Sequence, residues 1–339
     1  MPQALVSRLR CVIAILGLAI AACAPATARG DTVYALSNND GRVIRYDSTN
    51  PAGSVVTLSS SGAIVSAAGM AIGPDGNLYI GEGGNFSTVA PAIKRLNLSN
   101  NSLSTVYSFS TFNVFPGALV FKGNDLLVGR NPFFGDTGPV VKLSNATGGS
   151  VSLSDYTAGR SLASSPGLAF GPDGSLYVSD QTYNFETSEA YGPVLRFDAS
   201  GQYVGEVVAD GVSTGLFGPT GLGIRGTTLY TASIMNGAVL KTNLLDDSTT
   251  SFGTTGVPFG ASPLALLADG GLIVGSAGGA GDIYRFNSAG LLVETYNSGL
   301  GTIGGLVAVP VPEPASIVTA MIGAAGAMLC LRRRVGSRS

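Results

Sequence analysis

One pattern recurs along the middle of this 339-residue chain and limits its folds more than any other feature. The clearest copy is Gly167–Asp180, Gly-Leu-Ala-Phe-Gly-Pro-Asp-Gly-Ser-Leu-Tyr-Val-Ser-Asp, and Gly69–Glu82 matches it closely. Weaker copies are Gly117–Arg130, Gly221–Ala232 and Leu264–Ser276. Two short apolar runs joined by a tight Asp-Gly or Asn-Asp turn predict a β-hairpin. The turn needs a residue that accepts positive φ cheaply, which glycine supplies. Asp75 and Asp173 are therefore read as turn formers.

Each hairpin is followed by a basic residue, one intervening residue and a small polar residue. The instances are Arg45-Tyr46-Asp47, Arg95-Leu96-Asn97, Lys142-Leu143-Ser144, Arg196-Phe197-Asp198, Lys241-Thr242-Asn243 and Arg285-Phe286-Asn287. Apolar residues two places earlier, such as Val43, Val194 and Ile283, mark a third strand with one buried face. A turn and a fourth strand follow, as at Gln202–Val208. Tyr34, Tyr79, Leu127, Tyr177, Tyr230 and Ile273 hold equivalent second-strand places, at intervals of 45, 48, 50, 53 and 43 residues. Four strands in about 40–50 residues is the period of a propeller blade. No stretch has helical periodicity, and the 49 glycines belong to the many turns. The first repeat begins at Asp31 without its inner strand, and the last ends with an extra one, Ile303–Val309. Inserted into the first blade, that strand closes an all-β, six-bladed ring over residues 29–310 and leaves no open edge.

The repeat resembles those of NHL-type and gluconolactonase-like six-bladed propellers. The latter family holds a divalent metal at its channel, typically with an asparagine before the glycine that opens the inner strand. This chain has Ala68, Pro116, Pro166, Thr220 and Pro263 at the places assigned to that slot, which weakens a lactonase-like reading. It has no histidine, the commonest general base and metal ligand. No serine sits in a Gly-x-Ser-x-Gly elbow beside a histidine base either: Gly211-Val212-Ser213-Thr214-Gly215 has the spacing but no such base.

Both ends read as addresses. Arg8 and Arg10, the apolar run Cys11–Ala22 and the Ala26-Thr27-Ala28 site predict a signal peptide over 1–28, cleaved after Ala28 and handled by the Sec machinery. Ile20-Ala21-Ala22-Cys23 offers the alternative of lipidation at Cys23. At the other end, 311–339 carries Pro312-Glu313-Pro314, the uncharged run 317–331, and Arg332-Arg333-Arg334. As a helix that run would span about 22 Å, short of a bilayer core of about 30 Å, and the arginines favour a cytoplasmic end. The tail resembles the PEP-CTERM sorting signal of exopolysaccharide-producing Gram-negative bacteria. The resemblance implies transient inner-membrane anchoring, cutting by an exosortase near the motif, and delivery to the cell surface or biofilm matrix. An ordinary single-pass transmembrane anchor is the alternative.

Cys11, Cys23 and Cys330 all lie in these two segments, so the domain between them has no disulfide. Six of the 19 basic residues, all arginines, are also in the ends. Processing would leave 13 basic against 21 acidic residues, a net charge of −8. That disfavours nucleic acid and suits cations, neutral sugars or proteins.

Site candidates follow the second strands, where propeller loops meet the channel: Glu82, Arg130, Asp180, Asn236 and Ser276. Glu82 and Asp180 are equivalent in the two best repeats. Converging on the channel, they could hold Ca²⁺ through hard oxygen ligands. Otherwise each satisfies backbone donors of its own turn. No other cofactor is expected. The repeated basic residues are read as solvent-facing or paired with acids on the neighbouring blade. Three long loops, 83–91, 131–139 and 181–192, carry Phe86, Phe133, Phe134, Tyr183, Phe185 and Tyr191. These rings either form a rim for an exopolysaccharide or matrix protein, or pack together to order the loops. A binding or scaffold module is favoured over a metal-dependent hydrolase or lyase.

Overall fold

The computed structural model describes residues 30–85, 87–110, 115–131 and 137–311. Its strands occupy the compact unit Thr32–Val309. The signal segment with Cys23 and Ala28, the sorting motif Pro312-Glu313-Pro314, the apolar run 317–331 and Arg332–Arg334 lie outside the described residues, as do Phe86, Phe133 and Phe134. Among the described residues no helix is long and apolar enough to cross a membrane.

Among the described residues the strands form six four-stranded antiparallel sheets and one two-stranded hairpin; five of the six run from the inner edge outward in chain order, and the first takes its inner strand from the end of the fold. Strands β1 (Thr32–Ser37), β2 (Val43–Asp47) and β3 (Val56–Thr57) begin blade I, with the one-turn helix α1 (Pro51–Ser54) before β3. Blade II is β4 (Ala67–Ile72), β5 (Leu78–Glu82), β6 (Ala92–Leu96) and β7 (Leu103–Ser108). Blade III is β8 (Pro116–Lys122), β9 (Asp125–Arg130), β10 (Val141–Ser144) and β11 (Ser152–Asp155). Blade IV is β12 (Leu168–Phe170), β13 (Leu176–Ser179), β16 (Val194–Phe197) and β17 (Tyr203–Val208), with the hairpin β14 (Thr182–Asn184) and β15 (Glu189–Tyr191) inserted between its middle strands. Blade V is β18 (Pro219–Arg225), β19 (Thr228–Ser233), β20 (Ala238–Asn243) and β21 (Thr249–Thr254). Blade VI is β22 (Leu264–Leu266), β23 (Leu272–Gly275), β24 (Asp282–Phe286) and β25 (Leu292–Asn297). The ring closes as the sequence predicts: β26 (Ile303–Val309) pairs with β1, from Thr32↔Val309 to Leu36↔Gly305.

Packing explains why second strands are near-continuous apolar runs. Blades stack face to face, so β5 and β13 are buried along their whole length. Outer strands such as β7 alternate between half-buried and exposed positions. Buried side chains fall into six clusters, each between consecutive blades. The cluster at the closure seam joins Val33, Ile44 and Tyr46 of blade I to Ile273 and Ile283 of blade VI, with Ile303 and Leu306 of β26.

The turn acids do what their position requires. Asp75 accepts from the Asn77 N–H at 3.2 Å and Asp173 from the Ser175 N–H at 3.0 Å, each beside a glycine at positive φ. The same acids correct the expectation for the repeated basic residues. Tyr79↔Arg95, Tyr177↔Arg196 and Ile273↔Arg285 are cross-strand pairs, which aims the basic side chain back at the turn of its own blade. Arg196 reaches Asp173 and Arg285 reaches Asp269, each at 2.7 Å, while Arg95–Asp75 and Lys142–Asp125 stand at 3.9 Å. For these four the partner is a turn acid of the same blade, not the next blade, while Arg45 and Lys241 are solvent-facing as expected. These clamps sit at one end of the ring, where inner strands turn into second strands. The interblade loops and the second-to-third-strand loops gather at the other end.

Candidate functional site

At the loop end the inner strands enclose a cup of about 270 Å³ on the ring axis. Its chemistry follows from one repeated register. Leu168 pairs with Val178, and Leu119, Leu264 and Leu306 pair with Val128, Val274 and Ala35 in the same way. Met70 and Leu222 complete the set, so each blade sends one aliphatic side chain to the cup. Small residues line the wall, and their size is a packing requirement. A Cβ on Gly69 would strike the Gly117 carbonyl, and one on Gly167 the Thr220 carbonyl, each of the adjacent blade. Asn38, Asn131, Ser262, Ala277 and Thr302 line it from the loop end, where second strands finish and inner strands begin. Among the described residues no charged side chain lines the cup.

Strand pairing also revises the slot before the inner-strand glycine. Gly275 N–H donates to Pro263 O as Ser179 N–H does to Gly167 O, so Pro263 stands at the glycine place and Ser262 in the slot. In blade III a bulge between Pro116 and Leu119 shifts the register, which puts Gly117 in the slot in place of Pro116. Ala68, Pro166 and Thr220 keep theirs, and Gly304 takes it in blade I. None is asparagine.

Glu82 and Asp180 do not line the cup. Glu82 is 3% exposed. It accepts from the Val65 N–H at 3.0 Å and meets Lys94 Nζ at 3.0 Å. Asp180 is 7% exposed and accepts from the Ala163 N–H at 2.7 Å, with Arg160 at 3.6 Å. Burial pushes the Asp180 carboxyl above the ordinary value, against the Ala163 hydrogen bond and the Arg160 charge. Each acid pins the loop that enters its own blade. Among the described residues no three acid, histidine or cysteine side chains are grouped to hold a metal. The other candidates have local partners too. Asn236 caps a turn through the Gly215 carbonyl and the Ala238 N–H, Ser276 Oγ accepts from Gly278, and the Arg130 guanidinium lies against Gly138.

The loop 181–192 contains the β14–β15 hairpin, and it carries the three described rim aromatics. Tyr183 and Phe185 meet edge to face at 4.9 Å. Phe185 nevertheless stays 74% exposed, and Tyr183 and Tyr191 are exposed as well. The rings thus pack on each other and still present a face. The hairpin is anchored by buried Ala190, which lies against Gly218 of the strand-to-strand loop entering the next blade. Asp210 accepts backbone hydrogen bonds from Gly192 and Gly218 at its foot. Burial raises the Asp210 carboxyl above the ordinary range despite those bonds. Sequence reading missed the aliphatic set of the cup. Its signal was the residue after glycine in Gly69-Met70, Gly167-Leu168, Gly221-Leu222 and Gly305-Leu306, which reads equally well as ordinary strand core.

Fold and site together define a six-bladed propeller with an axial cup, free of charged side chains among the described residues, and an aromatic hairpin at one end. Solved structures share the fold. A chain in the crystal structure of the nidogen/laminin complex superposes with a TM-score of 0.64 at 11% identity, over 83% of this chain and 98% of that one. TolB from Acinetobacter baumannii gives 0.59 at 14% identity, over 83% and 67%. A protein of unknown function from Bacteroides caccae gives 0.57 at 14%, over 83% and 100%. No family model and no curated protein matches the chain.

Proposed function

We propose that this chain is an exported, non-catalytic binding propeller that works at the cell surface or in the extracellular matrix and engages a glycan or protein through its loop end. The observation that carries this is the state of that end. Among the described residues the cup carries no charged group, Glu82 and Asp180 are held by backbone donors and basic side chains, and the β14–β15 hairpin exposes aromatic rings. Proton transfer needs a titratable group in reach of a ligand, whereas recognition needs shape and apolar surface. The nidogen neighbour comes from a complex with laminin, an instance of this fold serving a macromolecular contact.

Export and sorting rest on the sequence of the ends: a signal peptide over 1–28, the propeller over 29–310, and a PEP-CTERM-like tail over 311–339 that an exosortase trims near Pro314. The test is the intact mass and location of the protein in a host with and without its exosortase. A product running from about Arg29 to about Pro314, released only when the exosortase is present, is expected. A membrane-bound product that keeps Arg332–Arg334 in both strains would make the tail a plain anchor.

The metal-dependent, lactonase-like alternative places Ca²⁺ at Glu82 and Asp180. Binding to the native state alone raises the melting temperature by mass action. A binding module shows no such rise in millimolar Ca²⁺, Mg²⁺ or Zn²⁺, and a rise reversed by chelator would favour the alternative.

A further inference from the structure

We propose that the axial cup receives one uncharged, apolar side chain presented by a protein partner, a proposal that rests on the loop end being a binding face and names the chemistry it selects.

Three observations choose this occupant. The cup offers six aliphatic residues, Met70, Leu119, Leu168, Leu222, Leu264 and Leu306, and no counter-charge among the described residues, so a charged group would lose its water without an ionic partner. Its volume of about 270 Å³ lies below the ~300–1,000 Å³ of pockets for drug-sized ligands and suits a single large side chain. A sugar ring fits poorly. Among the described residues no aromatic ring lines the cup to stack on its C–H face.

The asparagines at the mouth suit a peptide. Asn131 Oδ1 accepts from Ser164 Oγ at 2.7 Å, which leaves its amide N–H groups as donors. Asn38 Nδ2 donates to Ala67 O at 2.9 Å, which leaves its carbonyl as an acceptor. One donor and one acceptor match the C=O and N–H flanking an inserted side chain. An apolar anchor inside a neutral polar rim is how interfaces concentrate their binding energy.

The experiment uses the full-length chain with Leu and Met methyl labels, titrated separately with N-acetyl-L-leucinamide, N-acetyl-L-lysinamide and methyl α-D-glucoside. Leucinamide should shift the methyls of Met70 and the five cup leucines in the millimolar range, with lysinamide at least tenfold weaker. Ala277→Trp and Thr302→Trp, which lay an indole across the mouth from different loops, should each abolish the shifts without lowering the melting temperature. Glucoside moving these methyls more than leucinamide would overturn the proposal, as would leucinamide leaving them unmoved in the folded native chain. A second arm measures retention on the surface of the producing cell. Both plugged variants should lose it at least fivefold, and plugged variants retained like the native chain would refute the cup's role even with surface binding intact. Native protein that takes leucinamide in the cup but is never retained would sink the surface-binding reading while supporting the cup's selectivity.

Discussion

Carboxylates that look alike in the sequence have opposite roles once their surroundings are known. At Asp75 and Asp173 partial burial acts to raise the carboxyl. Hydrogen bonds from residues 77 and 175, and the paired Arg95 and Arg196, outweigh it and hold both below the ordinary value. Tyr79 shares the Asp75 clamp: burial and the neighbouring carboxylate push its phenol up to about 12. A lowered folded pKa contributes stability that is present above the unfolded value and lost as pH falls through the folded one. The clamps should therefore weaken only in acid below the ordinary aspartate range, and Arg196→Ala should cost less than about 1 kcal/mol because the pair is partly exposed. Asp180 has the opposite sign. Its raised pKa means that ionisation opposes folding, so its contribution is present at low pH and lost as pH rises through the folded value. Asp180→Asn keeps an acceptor for the Ala163 N–H and removes the penalty. Thermal unfolding at pH 7 should show an unchanged or higher melting temperature, and a fall of several degrees would mean that the Arg160 pair outweighs burial.

The closing strand and the inserted hairpin differ in what they carry. Leu306 of β26 lies in the seam cluster and also lines the cup, so Leu306→Ala should cost about 2–5 kcal/mol in denaturant unfolding. Stopping the fold at residue 302 removes every β1–β26 pair and should abolish cooperative unfolding. The β14–β15 hairpin is exposed at its tip and packed at its base. Tyr183→Ala with Phe185→Ala should leave stability within about 1 kcal/mol of native. Ala190→Arg should destabilise more, because it drives a long side chain into the buried place against Gly218. If the aromatic face binds matrix, the Tyr183/Phe185 pair loses retention while its melting curve stays put. Retention equal to native would remove the hairpin from the binding surface.

For the whole molecule, the ring was legible because the blades repeat one local solution: a tight turn, Asp-Gly in blades II, IV and VI, then a doubly buried second strand and a basic third strand. Ring closure was legible because the missing strand of the first repeat and the spare strand of the last are complementary. The cup was not. The strand pattern of Leu168 says that its side chain is buried, and it does pack in a cluster with the neighbouring blade, but only the assembled ring shows that it also borders the axis. The slot residues were misplaced in blades III and VI for a related reason: a bulge at Pro116 and a proline at a glycine place shift register without disturbing the apolar pattern. The clamps escaped because a cross-strand partner is set by pairing, which one chain read in a line does not display. The β1–β26 pairing has a further consequence, in time. Thr32 and Val309 stand at opposite ends of the fold's sequence, so a chain delivered N-terminus first spends nearly its whole emergence with blade I three-stranded. Throughout that interval β1 shows a bare row of N–H and C=O groups and one wall of the seam is wet, an invitation to foreign strands. The last strand out thus latches the first one in, and protection from mispairing arrives only when synthesis of the ring is complete.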